Sequence, residues 1–356
     1  MSIWQRITKG EVPILATLNR IPGGIMLVPL FMGTLVNTFI PGLIDIGGFT
    51  TALWRNGAMT LIAVLLFCSG AQIQFRTAGM ALYKGSVLTA SKVIIGTGAG
   101  ALLVMTLGLE WTLLGITPLA LVSSLGNNNG GMYTALASKY GTNSDVGGIA
   151  ILSSTDGPFF EMLLLGAVGA AAIPHMALVA VILPIFAGML VGNLDNRMKE
   201  FLKPGMAIAI LMFAFPLGAG LNLRTFVETG VPGVLLALIV LIFTGIPCYF
   251  IYKFLIPRSK RRSCAPGAAV GTTAGNALAT PAAIAAVDPS FLPFSAAATA
   301  QVATAILVTA LLCPIMVDFI YKWEERTGRL NLDVPLAGMD GEPAVAVQEA
   351  AAPSEE

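Results

Sequence analysis

The sequence predicts an all-helical (all-α) polytopic membrane protein: ten transmembrane helices built as two inverted five-helix repeats, with the fourth and ninth helices discontinuous and crossed. Three observations carry this. The chain of 356 residues is 56% hydrophobic and 11% charged, with a mean hydropathy of +0.82, whereas a soluble protein carries about 25% charged residues. Its Lys and Arg fall almost wholly on one side of the expected membrane. Three stretches of the first half also recur, in order, in the second.

A helix needs about 20 mainly apolar residues to cross a bilayer. Ten such segments are expected, at 22–39, 57–75, 86–108, 112–140, 146–172, 175–193, 205–222, 231–256, 264–287 and 292–320. With a cytoplasmic N-terminus, seventeen of the twenty Lys and Arg lie on the inner side, Arg55 and Arg224 lie outside, and Lys92 falls within the third segment. Such an excess marks the cytoplasmic side, so both termini are expected there. The run PRSKRR, Pro257 to Arg262, reads as a topology anchor before it reads as a lipid patch. A net charge of +1 leaves no basic face for phosphates, so no nucleic-acid partner is expected. Residues 1–21 have neither a long apolar run nor a small-residue cleavage site, and read as a cytoplasmic segment with no signal peptide. Residues 328–356 are rich in Ala, Pro and Glu and predict a disordered cytoplasmic tail.

The repeats span residues 22–172 and 173–327. PLFMGTLV (Pro29 to Val36) matches PIFAGMLV (Pro184 to Val191), GAQIQFRT (Gly70 to Thr77) matches GAGLNLRT (Gly218 to Thr225), and GNNNGGMYTALAS (Gly126 to Ser138) matches GTTAGNALATPAA (Gly271 to Ala283). The offsets are 155, 148 and 145 residues. Each copy holds an odd number of segments, so the second is expected upside down, an architecture of many secondary transporters.

The third match interrupts an apolar segment in both copies with Gly, Asn and Thr. Unwound backbone at membrane depth is tolerated only where it is buried in protein or lines a polar cavity. A half-helix starting near Gly130 and another near Gly275 present N–H donors and positive dipole ends, which suits an anionic ligand. Asn127, Asn128, Asn129, Gly130, Gly131, Thr272, Thr273, Gly275 and Asn276 are therefore the candidate substrate-binding residues. Close helix packing explains Gly96 to Gly100, GTGAG, but not three consecutive asparagines.

The fifth segment, ILSSTDGPFFEMLLLG, carries Asp156 and Glu161. An intramembrane acid is costly and usually functional. Both are candidate proton-coupling groups, with Asp156 ranked first because Glu161, five residues on, lies on another face of a helix. An Asp before Gly157 and Pro158 also suits a helix cap. The offset of 145 pairs Asp156 with Gln301, which is expected to face the same crossing point and join the substrate site. Ser153, Ser154 and Thr155 leave sodium open as the coupling ion. Gln72 and Gln74 suit a cavity or the headgroup boundary equally, and Lys92 is expected to snorkel or to pair with an acid.

Cys68, Cys248, Cys264 and Cys313 are far apart and His175 is the single histidine, so no metal site or cofactor is expected and the thiols are expected to be buried. No nucleophile–histidine pair or P-loop is present, against an enzyme or an ATP-driven pump. A passive channel is the other class, and it should lack coupled intramembrane acids. The oligomeric state is left open.

RIPGGIMLVPLFMGTLVNTF, SLGNNNGGMYTALASKYG, STDGPFFEMLLLG and GTTAGNALATPAAIAAVDP resemble the 2-keto-3-deoxygluconate permease family of bacterial inner-membrane transporters, over nearly the whole chain to about Arg329. The resemblance implies a fold similar to bile-acid symporters and sodium–proton antiporters. In that fold helices three to five and eight to ten form a core domain, and helices one, two, six and seven a panel. It also implies proton-coupled uptake of the sugar acid 2-keto-3-deoxygluconate by alternating access. The resemblance implies a second cation-coordinating acid in sodium-coupled relatives where this chain has Gln301, which favours protons over sodium.

Overall fold

The computed structural model describes residues 12–20, 24–73, 79–155, 157–220 and 223–337. Among these the only extended pairing is an isolated bridge between Leu113 and Ile116; the rest of the regular structure is helical. Helices or half-helices occupy each of the ten expected segments. Among the described residues four helices are long and apolar enough to cross a membrane: Gly79–Leu107, Asn196–Gly218, Gly230–Leu255 and Pro289–Arg326. Two bent pairs raise this to six: Gly48–Trp54 with Ala58–Gly70, at 60°, and 143–155 with Phe159–Ala167, at 59°. Gly24–Phe39 is a shorter apolar helix. Segments four and nine fall below the length test because each is cut in two, as Gly and Asn in an apolar run require.

The helices pack as two groups. In the first, Gly24–Phe39 lies against Gly205–Gly218, and Ala58–Gly70 against both His175–Leu194 and Gly205–Gly218. Glycine sets these approaches. A Cβ on Gly33 would collide with the Phe215 carbonyl, and one on Gly218 with that of Leu30. A Cβ on Gly188 would meet the Phe67 carbonyl, and one on Gly70 that of Ile185. Backbone therefore touches backbone, the contact that small residues permit between apolar helices.

The second group is gathered around the long helix Leu292–Arg326, which contacts Gly230–Val240, Pro118–Leu125, Ala265–Ala268 and Thr280–Val287. Helices 79–107 and 230–255 each contain a π-turn, Val93–Gly98 and Leu241–Gly245, and the two π-turns touch. Gly96 packs on Leu125 and Gly245 on Gly271, so each π-turn abuts the break of a neighbouring segment. Gly100 packs on Val122, as GTGAG predicts.

Two buried apolar clusters fill the interior. One, containing Leu30, Leu66, Phe213, Val122, Leu278 and Ile306, draws on both helix groups. The other, containing Tyr133, Tyr140, Cys248, Tyr252, Ala268 and Val317, is built from the second group alone. All four cysteines are free and buried.

Lys84, expected as a cytoplasmic anchor, is instead fully buried against Asp145, with Nζ to Oδ1 at 2.9 Å. The Thr142 amide and hydroxyl both donate to Asp145 Oδ2, at 2.8 and 2.7 Å, closing a capping box, and the Tyr252 hydroxyl donates to Oδ1. The pair ties the third segment, the turn before the fifth, and the eighth. The tail also departs from expectation at its start. Residues 328–337 are held to the protein: Asn331 N donates to Arg262 O at 2.9 Å and Ala337 N to Gly141 O at 3.0 Å. Backbone bonds offered by the neighbouring loops, which composition does not report, hold this stretch; the remainder, 338–356, lies outside the described residues.

Two outcomes follow for stability. Gly188→Ala should lower stability in detergent by about 1–3 kcal/mol through overpacking, while Gly42→Ala, with open space around it, should leave the melting temperature unchanged. Lys84→Met should cost about 3–5 kcal/mol by stranding the Asp145 charge; both are read by thermal unfolding, and a wild-type melting temperature for either variant would refute the packing described.

Candidate substrate site at the helix breaks

Segment four runs as helix over Pro118–Leu125, breaks, and resumes over Gly130–Tyr140. The restart is locally encoded: Asn129 Oδ1 accepts from Met132 N at 3.0 Å, an N-cap on the second half-helix. Segment nine opens with the short turn Ala265–Ala268, breaks, and resumes as the 3-10 turn Gly275–Ala279 and the helix Thr280–Val287.

The breaks are bonded to one another. Asn129 N donates to Thr272 Oγ1 at 2.9 Å, and Thr273 Oγ1 donates to Ser124 O at 3.4 Å. Thr273 N donates to Thr309 Oγ1 at 3.2 Å. Lys92, fully buried, takes carbonyls that the ninth segment releases: Nζ donates to Val270 O at 2.5 Å and Thr272 O at 2.7 Å, and to Thr244 Oγ1 at 3.4 Å. It is buried rather than snorkelling, and it makes no direct ion pair among the described residues. Its partners are two backbone oxygens and the Thr244 hydroxyl, and it sits beside both π-turns.

Glu161 lies in the helix Phe159–Ala167 and is fully buried. Its Oε1 accepts from Asn127 Nδ2 at 3.3 Å, and it sits so close to Gly126 that a Cβ there would collide with it. Asn128 Nδ2 donates to Thr155 Oγ1 at 2.8 Å and to Leu152 O at 3.4 Å, tying the break to segment five. Around these groups the buried atoms Glu161 Oε2, Asn127 Oδ1, Asn128 Oδ1, Ser124 Oγ, Asn276 Oδ1 and Thr280 Oγ1 have no hydrogen-bond partner among the described residues. Each unpaired buried polar atom costs about 1–3 kcal/mol, so such a cluster is out of place in a merely structural core and suits a polar ligand. Asn129, Gly130 and Gly275 are half-buried and Gly131 is exposed, giving the site an accessible edge. That edge meets the first helix group, since a Cβ on Gly275 would lie 3.5 Å from Met26 Sδ.

The structure thus brings together Asn127, Asn128, Asn129, Gly130, Gly131, Thr272, Thr273, Gly275, Asn276 and Glu161. Asp156 lies outside the described residues, as does Gln74. Gln301 is not at the breaks. Its Oε1 accepts from Thr117 N and Oγ1, at 2.9 and 3.1 Å, and its Nε2 donates to Gly115 O at 2.8 Å. It caps the start of Pro118–Leu125, a half-helix length of about 12 Å from the break. The amide is used up by backbone, which a numerical offset between repeats does not reveal. Glu161, ranked second on helix phase from Asp156, proves to touch the break. Lys92, expected to snorkel or to pair with an acid, instead holds the break of segment nine; the signal was its depth, since Lys139 and Lys253, the other cations within expected segments, lie near the ends of theirs.

A family model described as 2-keto-3-deoxygluconate permease matches residues 15–326. The chain belongs to the 2-keto-3-deoxygluconate permease family. It is 43% identical over 317 residues to 2-keto-3-deoxygluconate permease 1 of Salmonella typhimurium, covering 88% of this chain and 97% of the relative. It is 37% identical to 2-keto-3-deoxygluconate permease of Xanthomonas axonopodis pv. citri (88% and 99% covered) and 35% identical to that of Bacillus subtilis (87% and 94%). The family consists of permeases, which move a solute across a membrane, and not of enzymes.

Thr272→Val keeps the shape of the side chain but leaves the Asn129 amide without its acceptor. It should cost about 1–3 kcal/mol in thermal unfolding, whereas Thr106→Val, at an exposed position bonded only within its own helix, should cost far less. Equal melting temperatures for the two variants would refute the junction between the breaks.

Proposed function

We propose that this chain is a secondary active transporter of the bacterial inner membrane that takes up 2-keto-3-deoxygluconate, or a similar sugar acid, together with protons by alternating access. The observation that carries the reading is the junction of the two breaks, with half-helix starts, amides and unpaired buried polar atoms gathered on a partly accessible edge. A sugar acid offers what this site lacks: a carboxylate for the N–H groups of the restarting half-helices, and hydroxyls for the asparagine and threonine side chains.

Ten helices in two inverted repeats is the arrangement we assign, with both termini cytoplasmic. Three geometric correspondences support it. Gly33 on Phe215 and Gly188 on Phe67 are the same contact after the offsets of 155 and 148, and so are Gly218 on Leu30 and Gly70 on Ile185. The π-turns at Val93 and Leu241 are also 148 residues apart. Finally, the helix Leu292–Arg326 caps the first half of both broken segments: Gln301 at Thr117, and Glu324 at Cys264, whose amide donates to Oε2 at 3.0 Å. Gln301 and Glu324 are 23 residues apart, which is about 35 Å along a helix, close to the hydrocarbon thickness of about 30 Å. The two half-helices therefore start at opposite faces, as inversion demands.

Glu161 is the proton carrier best supported by geometry, with Asp156 as the second acid in the same segment. Glu161 is close enough to the break to respond to a bound carboxylate, and an apolar surrounding disfavours two negative charges together. Protonation of Glu161 then accompanies loading. Sodium is disfavoured because Lys92 already supplies a cation to the Val270 and Thr272 carbonyls, the kind of oxygen a sodium site would use. The first helix group acts as the panel and the second as the core that moves against it.

Uptake of labelled sugar acid into proteoliposomes, under imposed pH or Na⁺ gradients, tests this. Wild-type protein should accumulate substrate uphill with an inward pH gradient and be indifferent to Na⁺. Glu161→Gln should abolish uphill accumulation while keeping exchange of substrate between loaded vesicles, and Asp156→Asn should behave likewise if it shares the proton. Unaltered uphill uptake by Glu161→Gln would remove it from the coupling role, and accumulation driven by Na⁺ alone would overturn proton coupling.

A further inference from the structure

The run PRSKRR does more than mark a membrane face. With the ends of helices 230–255 and 292–326 it forms a cleft of about 240 Å³, lined by Lys253, Arg258, Arg261, Arg262 and Arg329 against a single acid, Glu324. Glu324 offsets only part of this charge, one acid against five cations. It is buried, and its oxygens accept from the Tyr249 hydroxyl at 2.9 Å, Ser263 Oγ at 2.6 Å and Cys264 N at 3.0 Å.

The cleft is built, not merely a set of charges on a loop. Arg261 Nη1 donates to the carbonyls of Tyr252 and Lys253, which fixes its guanidinium at the end of helix 230–255. Gly328, Arg329 and Asn331 form the facing wall, and their stretch is held there as Arg262 Nη1 donates to Val334 O at 3.1 Å and Asn331 Nδ2 to Arg258 O at 2.9 Å. Arg262 Nε is buried without a partner among the described residues. A topology anchor needs only charge; it does not need a walled cavity.

An apolar track leads to the same place. Leu311, Ile315, Phe319 and Trp323 are all exposed, with Ile315 at 65% and Phe319 at 69%. Their spacing of four residues puts them in one stripe along the helix. The stripe ends where the Arg329 guanidinium stacks 4.2 Å over the Trp323 ring. A cationic cleft at the end of an exposed apolar stripe is the complement of a molecule with an anionic head and an apolar tail, and basic pockets at the cytoplasmic ends of membrane helices suit anionic lipid headgroups.

We propose that this cleft is a binding site for the phosphate headgroup of an anionic phospholipid, with an acyl chain along the 311–323 stripe. The leaflet, the inner one, rests on the orientation assigned under Proposed function; the site itself does not. Inorganic phosphate shares the headgroup chemistry, so the test separates the two.

Full-length protein is purified in detergent and titrated with phosphatidylglycerol, phosphatidylcholine or inorganic phosphate. Retained lipid is read by native mass spectrometry and stabilisation by melting temperature. Phosphatidylglycerol should be retained and should raise the melting temperature, and phosphatidylcholine should do neither. Arg258→Gln with Arg329→Gln should weaken phosphatidylglycerol binding roughly thirty-fold, since each basic residue contributes about a factor of five. Phe319→Ala, which removes only the track, should weaken it as well. Equal retention of both lipids, or unchanged phosphatidylglycerol binding by the double variant, would overturn the proposal. So would stabilisation by phosphate equal to that by phosphatidylglycerol with no effect of Phe319→Ala, which would make this a free-anion site. If the double variant fails to fold, Arg258→Gln alone, at an exposed side chain, decides with an expected five-fold loss. None of these readouts involves transport, so they stand or fall apart from the sugar-acid reading.

Discussion

Every helix break in an apolar surrounding releases backbone N–H and C=O groups that water cannot satisfy, and the rest of this molecule is arranged around that debt. The released carbonyls of Val270 and Thr272 meet the ammonium of Lys92, the Asn129 amide meets Thr272, and Asn129 closes the restart of its own helix. The partners come from segments three, four and nine. The break in segment nine therefore takes its partners from segments three and four, and the break in segment four takes one from segment nine. A pair of breaks is a cooperative unit, and a single one in this surrounding would be a defect.

Glycine supplies the second layer of that arrangement. The π-turns widen helices 79–107 and 230–255 where they pass the breaks, and Gly96 and Gly245 let those helices approach Leu125 and Gly271. The first helix group uses the same device for rigidity, with carbonyl oxygens lodged over Gly33, Gly70, Gly188 and Gly218. Contacts between the groups are of another kind, such as Met26 beside Gly275 and Leu66 beside Gly157, where side chains meet at the broken segments. Within each group backbone meets backbone; between them side chains meet.

Much of this was legible in the sequence. Asparagine and glycine in an apolar run announce a break by themselves, and their recurrence at a fixed offset announces a pair. What stayed hidden depends on partners that are distant in sequence. Gln301 looks like the amide counterpart of an acid, but its hydrogen bonds go to Gly115 and Thr117, some 185 residues earlier. Lys84 looks like a loop charge until Asp145 is folded onto it. Lys92 is visible as an anomaly, yet only the crossing of the segments shows that it serves the carbonyls of Val270 and Thr272. Residues 328–337 have the composition of an unbound tail, yet bonds to the backbone of distant loops hold them, and such bonds leave no trace in composition.

The ammonium of Lys92 also has an electrical consequence. A sodium ion held in that place would leave with the substrate, adding its charge to whatever crosses the bilayer in each turnover. A lysine is tethered to the chain and returns with it. In the proposed proton-coupled cycle, one carboxylate travelling with one proton moves no net charge, and the membrane voltage, which is worth about 2.3 kcal/mol per elementary charge for each 100 mV, does not act on the loaded transporter.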